Sequence, residues 1–401
     1  MTVSKSSPMN PLLAATITSP IVESRSWVEN VTFSDDMPLI NVSQAAPVDP
    51  PPAPMRQALA ESVLNDVSAH LYGPVLGLPD LRETLARHCA MTYGGAISAG
   101  NVGITSGCNQ AFCAAISSLA GPGDAVILPA PWYFNHKMWL DMAGIECRVL
   151  MCGDDMLPDP QQAALMIDDR VKAIVLVTPN NPTGMEYPDG LITAFYQLAR
   201  KSGISLVIDE TYRDFHSASG APHSLFNDPD WSDTLIQLYS FSKAYRLTGH
   251  RVGAIVCSHQ RMTEVEKFLD TLTICPNQLG QRGALFGMRN LGNWLARERA
   301  EILDRASAMR TAFPQLEGWA LKGCGAYFAY VSHPFDAPSD QVARALVEKS
   351  AILALPGTMF SPRREEGGNG HAEQHMRIAF ANVDQSGIDR LFARLAAFSI
   401  P

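Results

Sequence analysis

Between residues 100 and 290 the chain alternates short apolar runs with longer stretches in which apolar positions recur at helical spacing. The β-branched and aliphatic runs predict strands at 102–105, 125–128, 147–151, 173–177, 205–208, 234–239 and 251–257. The helical spacing predicts helices at 110–119, 134–143, 158–168 and 191–202. Parallel neighbours cannot be joined by a tight hairpin, and intervening helices supply the crossovers. The pattern therefore reads as an α/β fold whose mostly parallel sheet is sandwiched by helices.

Past residue 290 the texture changes. A charged helical pattern over 293–313, strands at 326–331 and 376–380, and a helix at 339–350 read as a smaller α+β domain. The first 40 residues look polar and irregular, 39–42 reads as a short strand, and the prolines between 47 and 54 read as a linker. These shifts divide the chain into an arm and part of the small domain (1–48), a large domain (49–290) and a small C-terminal domain (291–401).

Composition narrows the picture further. Of 401 residues, 46% are hydrophobic and only 18% charged, which excludes a disordered chain and leaves ample material for a deep core. The 31 Lys+Arg against 40 Asp+Glu give a net charge of −9, which argues against nucleic acid as a partner. The eight cysteines show no CxxC spacing, so neither a disulfide framework nor a zinc site is expected and a reducing cytoplasm is the simple reading. The apolar stretch 11–22 is broken by Thr, Ser and Pro, and no run approaches the roughly 18 residues of a membrane helix. His371 and His375 flank a Gly-rich loop without a third ligand in view, so no metal site is expected there.

Ligands of an open parallel sheet sit beyond the carboxyl ends of its strands. Asp209, Glu210 and Tyr212 follow one apolar run, and the turn Thr178 to Gly184, with two asparagines, follows another. A third ends at Ser240 and leads to Lys243 and Arg251; a fourth ends at Gly107, Cys108 and Asn109, where a helix start can hold a phosphate on its free N–H groups. Each has a structural reading too: an acid caps a turn, Asn-Pro-Gly forms turns anyway, and a lone lysine is commonly solvated. Their joint occurrence at strand ends of one sheet points to one crevice holding an acid, amides, a reactive amine and a phosphate cradle.

With these residues in hand, the sequence resembles the class I/II aminotransferases of the type I fold, the aspartate aminotransferase-like enzymes that use pyridoxal 5'-phosphate. The resemblance spans about residues 40 to 380 and rests on TPNNPTG at 178–184, DETY at 209–212, SFSKAYRLTGHRVG at 240–253 and HMRIAFA at 375–381. It implies a transaminase that moves an amino group between an L-amino acid and a 2-oxo acid by a ping-pong cycle. Lys243 would form the internal aldimine and then move a proton as general acid/base; Asp209 would face the pyridine nitrogen; Asn181 and Tyr212 would bind the ring oxygen. Ser240, Arg251 and the backbone of Gly107, Cys108 and Asn109 would hold the phosphate. Tyr133 would stack on the ring, although the neighbouring Trp132 leaves that register open by one residue. Arg377 would grip the substrate α-carboxylate. Tyr72 would reach the phosphate of a neighbouring subunit, implying a homodimer.

The resemblance has departures. Ala45 stands where the family usually carries glycine beside the substrate, and Ser361-Pro362 replace another expected glycine. The same chemistry could end in β-elimination, as in a carbon–sulfur lyase; a non-enzymatic cofactor-binding regulator is a more distant alternative. Dicarboxylic substrates would require one more cation, which spacing alone does not locate. Trp132, Tyr133 and Tyr327 tilt the reading toward neutral, aromatic or sulfur-containing amino acids.

Overall fold

The computed structural model describes residues 8–400. Its strands, in chain order, are β1 (Ile40–Asn41), β2 (Val102–Thr105), β3 (Ala125–Ala130), β4 (Glu146–Met151), β5 (Val171–Val177), β6 (Ser205–Asp209), β7 (Leu235–Ser240) and β8 (Gly253–Val256), then β9 (Ala320–Gly325), β10 (Phe328–Ser332), β11 (Ile352–Leu353), β12 (Leu355–Pro356) and β13 (His375–Ile378). Strands β2 to β8 form one sheet in the order β2-β8-β7-β6-β5-β3-β4. The pairings from β7 across to β4 are parallel, whereas β8 runs antiparallel to both β7 and β2. This single reversal positions the site. It brings the start of β8 to the edge where β2 and β7 end, with Gly253 paired to both Thr105 and Ser240.

Period-two alternation along the strands divides the core. Val126, Leu128, Val207 and Leu238 face one apolar cluster, and Ile127, Leu206, Ile208 and Leu235 face the other. Both faces of the sheet are therefore covered, and each such aliphatic side chain contributes roughly 1.5–3 kcal/mol by leaving water. The first cluster runs on into the second lobe through Phe328, Ile352, Met376 and Leu391, so the two lobes share one core.

That lobe is built on the antiparallel sheet β12-β13-β10-β9, flanked by helices Gly292–Ala312, Ser339–Ser350 and Gln385–Ala397. The N-terminal β1 joins it by pairing parallel to β11, Ile40 opposite Ile352.

Two expectations fail. Residues 1–7 lie outside the described residues, and the described part, 8–39, is not wholly irregular: it contains helices Pro11–Ala15 and Pro20–Ser26, each begun by a proline whose fixed φ suits the first turn. The proline cluster is not wholly a linker, because Pro52 and Pro54 begin helix Ala53–Asn65. In addition, helices Pro79–Tyr93, His259–Thr273 and Gln278–Asn290 complete the large lobe. Among the described residues no helix is long and apolar enough to cross a membrane.

Candidate active site

The carboxyl edge of the large sheet, the small lobe and the N-terminal arm enclose a cavity of about 630 Å³. Its walls carry Lys243, Asp209, Tyr212, Asn181, Tyr133, Ser240, Arg251, Arg377, Ala45, Cys108 and Asn109. Trp132 and Tyr327 are absent from that lining: Tyr133 lines the cavity, while Trp132 is buried with its backbone N–H on the Phe360 carbonyl at 2.8 Å. Tyr72 does not enter its own chain's cavity and is 81% exposed.

Asp209 is the last residue of β6 and is buried. Burial pushes its carboxyl upward, but His136, whose Nε2 lies 3.3 Å from Oδ2, and the Thr211 N–H, donating to Oδ1 at 2.9 Å, outweigh that and hold it below the usual carboxylate range. The acid therefore stays ionised. His136 was not legible as a site residue. It lies one helical turn beyond Tyr133, buried and stacked on Phe112 with centroids 3.8 Å apart, and that i,i+3 relation to an expected site residue is the signal that could have found it.

Lys243 follows β7 in the short helix Phe241–Ala244. Its Nζ donates to the Ala45 carbonyl at 2.5 Å and lies 6.0 Å from the Tyr212 ring centroid. Burial, reinforced by the neighbouring Arg251 and Arg377, lowers its pKa from 10.5 to about 7. A substantial neutral, nucleophilic fraction at physiological pH follows. The partner carbonyl belongs to the residue that departs from the family's glycine, so the extra methyl does not prevent the backbone from reaching the lysine.

Helix Cys108–Ser117 begins at Gly107, and its first N–H groups have no intrahelical acceptors. Gly107 has φ +87°, and a Cβ there would meet Arg251 Nη2 at 2.3 Å, so the guanidinium packs where a side chain would stand. Arg251 itself is held at φ 51°, a conformation unusual for a side-chain-bearing residue, with Nη1 on the Thr248 carbonyl at 3.0 Å. Ser240 and Ser242 add hydroxyls to the same wall. The result is an anion cradle of one fixed cation, hydroxyls and a helix N-terminus.

The two asparagines of the Thr178–Gly184 turn have different tasks. Asn180 staples the turn, accepting from Thr183 N–H at 3.0 Å and Oγ1 at 2.8 Å. Asn181 Oδ1 instead accepts from Arg377 Nη1 at 2.8 Å, which leaves its amide N–H groups for the cavity. Gly184, at φ +72°, closes the turn against the small lobe; a Cβ would meet Gly325 N at 2.5 Å. Arg377 lies on β13, buried, with its other terminal nitrogen on the Ser43 carbonyl and its plane between Phe328 and Phe360, 5.0 and 4.8 Å from their centroids. Two of its five N–H donors are thus committed and Nε has no partner, so a planar donor surface is fixed and unspent. Tyr133 Oη donates to Asn109 Oδ1 at 3.3 Å, which fixes its ring at the wall. Burial raises the Tyr212 hydroxyl well above its ordinary pKa, so it remains a proton donor.

Residues 38–395 match the family model described as aminotransferase class I and II. An aromatic aminotransferase of Arabidopsis thaliana is 26% identical over 355 residues, covering 86% of each chain. The transaminase BacF of Bacillus subtilis is 27% identical over 374 residues, 90% of each. The structure of a Thermus thermophilus aspartate aminotransferase solved with maleate superposes with a TM-score of 0.87 at 21% identity, over 98% of this chain and 100% of the other.

Proposed function

Because the chain belongs to the class I and II aminotransferases, a pyridoxal 5'-phosphate-dependent family, we propose that the cavity residues described above carry out its transamination between an L-amino acid and a 2-oxo acid. The donor set fits the cofactor on three counts. A buried, ionised Asp209 suits a cationic ring nitrogen, the cradle at Gly107 excludes any side chain in favour of Arg251, and the lysine is poised to lose its proton.

When bound, the cofactor supplies an aldehyde that takes up the amino group and a ring that withdraws electrons from the substrate α-carbon. Arg251, Ser240, Ser242 and the N–H groups at Cys108 and Asn109 would hold the phosphate. Asp209, positioned by His136, would supply the fixed negative charge against the ring nitrogen. Tyr212 and the amide of Asn181 would donate to the ring oxygen, and Tyr133 would pack against the ring. Arg377 binds the α-carboxylate and so orients the α-hydrogen toward Lys243. Lys243, with its lowered pKa, would take that proton from the α-carbon and hold it as a general acid/base. The observation that carries this reading is the convergence on one cavity of Asp209, Arg377 and the Lys243–Arg251 pair from three distant segments.

The lobe boundaries near residues 48 and 290 belong to the same reading, as does a homodimer in which Tyr72 completes the neighbouring site. Leu64, Val67 and Leu71 are exposed beside Tyr72, an apolar patch suited to a second copy. Eight free cysteines support a cytoplasmic setting.

The test is spectroscopic. Purified holoenzyme should lose its cofactor absorbance band on addition of a donor amino acid and regain it with a 2-oxo acid, and borohydride reduction followed by peptide mapping should place the label on Lys243. Pyruvate and ammonia released from a cysteine conjugate without any oxo acid, in the absence of that cycle, would replace transamination by β-elimination.

A further inference from the structure

Lys243 and Ala45 come from segments far apart in the chain, and a few residues further on the two segments meet again. Arg246 follows Lys243 by three residues and Asp49 follows Ala45 by four. Arg246 Nη1 lies 3.2 Å from Asp49 Oδ2, so this ion pair closes a loop with the hydrogen bond from Lys243 Nζ to the Ala45 carbonyl. The rest of the guanidinium is taken by the small lobe. Its Nε and Nη2 stand 3.0 and 2.7 Å from Glu298 Oε2, and its plane lies 5.5 Å from the Trp294 ring centroid. Arg246 is held at φ 55°, a left-handed conformation uncommon for a residue that bears a side chain, and such conformations persist where the surroundings over-determine them.

Glu298 and Trp294 belong to helix Gly292–Ala312, which grips two further segments of the site. Arg299 donates to the carbonyls of His216, Ser217 and Ala218 at 2.8, 2.9 and 3.0 Å, shortly beyond Tyr212. Arg305 Nη1 donates to the Ala381 carbonyl at 2.8 Å, shortly beyond Arg377. One helix thus fixes the segments of Lys243, Tyr212 and Arg377 relative to one another. Proton transfer needs that registration, because Arg377 on the small lobe orients the α-carbon while the amine belongs to the large lobe.

Arg246, Glu298 and Asp49 do not line the cavity, and the cations that act on the amine are Arg251 and Arg377. The Arg246 and Glu298 side chains are each only 19% exposed, so solvent does not screen this pair as it screens most surface ion pairs. We propose that Arg246, clamped between Glu298 and Asp49, is a positioning residue that holds the Lys243 amine at the Ala45 carbonyl and in register with the α-carbon presented by Arg377. It sets the rate of proton transfer rather than the affinity for substrate or cofactor. This assignment rests on the transaminase reading and deepens it.

The test compares wild type with Arg246→Gln, Arg246→Lys, Glu298→Gln and Asp49→Asn. In the apoenzymes, Lys243 is titrated by competitive labelling with trinitrobenzenesulfonate and peptide mapping. In the holoenzymes, exchange of the α-hydrogen of a donor amino acid with D2O is followed by NMR beside steady-state kcat and KM. A loosened clamp admits water to the amine, so its titration should move upward from about 7 by about one pH unit or more in both Arg246→Gln and Glu298→Gln. A charge effect through space would move the two variants in opposite directions, since one loses a cation and the other an anion, and that result would overturn the proposal. Exchange and kcat should fall by about 10–100-fold with KM changed less than about threefold, and Arg246→Lys should recover part of the loss. Asp49→Asn, altered at an exposed carboxylate, should show the same changes more weakly and decides the question should Arg246→Gln fail to fold. Lys243 titration and α-hydrogen exchange that match wild type in the folded variants would also overturn the proposal. A wild-type holoenzyme that neither exchanges the α-hydrogen nor transaminates would sink the transaminase reading, while the apoenzyme titrations would still decide whether Arg246 positions the amine.

Discussion

Replacing Lys243 by methionine in the apoenzyme isolates the energetics of the buried amine. The folded protein lowers its pKa from 10.5 to about 7. At about 1.4 kcal/mol per pH unit, the fold carries a penalty of roughly 5 kcal/mol wherever the amine is charged in both states. The sign follows from proton counting. Below pH 7 the penalty is complete; between 7 and 10.5 the unfolded chain binds more protons than the folded one, so stability rises with pH; above 10.5 the penalty has gone. Methionine has nearly the same shape and no charge, and its main liability is that the Ala45 carbonyl loses its donor, which costs about 1–3 kcal/mol. At pH 7 the variant should therefore be more stable by roughly 2–4 kcal/mol despite losing all transaminase activity. Urea unfolding of both apoproteins from pH 6.5 to 10.5 checks this, because the difference in unfolding free energy between them should shrink and change sign toward high pH. Parallel pH profiles, or a variant less stable at every pH, would refute a desolvated, proton-poor lysine.

The other substitutions test separate parts of the site. Asp209→Asn removes the buried charge that His136 and Thr211 hold in place and should lower kcat by about 10²–10³-fold in steady-state assays. Gly107→Ala places a methyl against Arg251 at a left-handed backbone position; cofactor affinity, followed by fluorescence titration of apoenzyme, should fall by about tenfold or more. Arg377→Lys exchanges a planar fork held between two phenyl rings for a point charge, and kcat/KM for α-amino acids should drop about 100-fold, read against an amine donor that lacks the carboxylate. Mixing inactive Tyr72→Ala and Lys243→Ala proteins should restore activity through heterodimers with one intact site, whereas a mixture that stays inactive under subunit exchange would remove Tyr72 from the neighbouring site.

The chemistry of this protein was legible wherever it is written in local sequence. A buried strand must be apolar and must end in polar residues, so Asp209, Asn181, Ser240 and Lys243 stand out directly after their runs, and the helix start at Gly107 is visible for the same reason. The alternation of runs and helical segments likewise determined a helix-covered, mostly parallel sheet. Helix Ala53–Asn65 was hidden because a proline cluster reads alike as a linker and as a first turn, and only packing distinguishes the two. What the tertiary structure alone decided are the contacts between segments far apart in the chain: the reversal of β8 that carries Arg251 to the end of β7, His136 against Asp209, the Ala45 carbonyl on Lys243, and Tyr133 rather than Trp132 in the cavity lining. Local sequence sets which groups a strand can offer at its end, but the distance and direction between two such groups depend on crossings, register and lobe packing, which are properties of the whole fold.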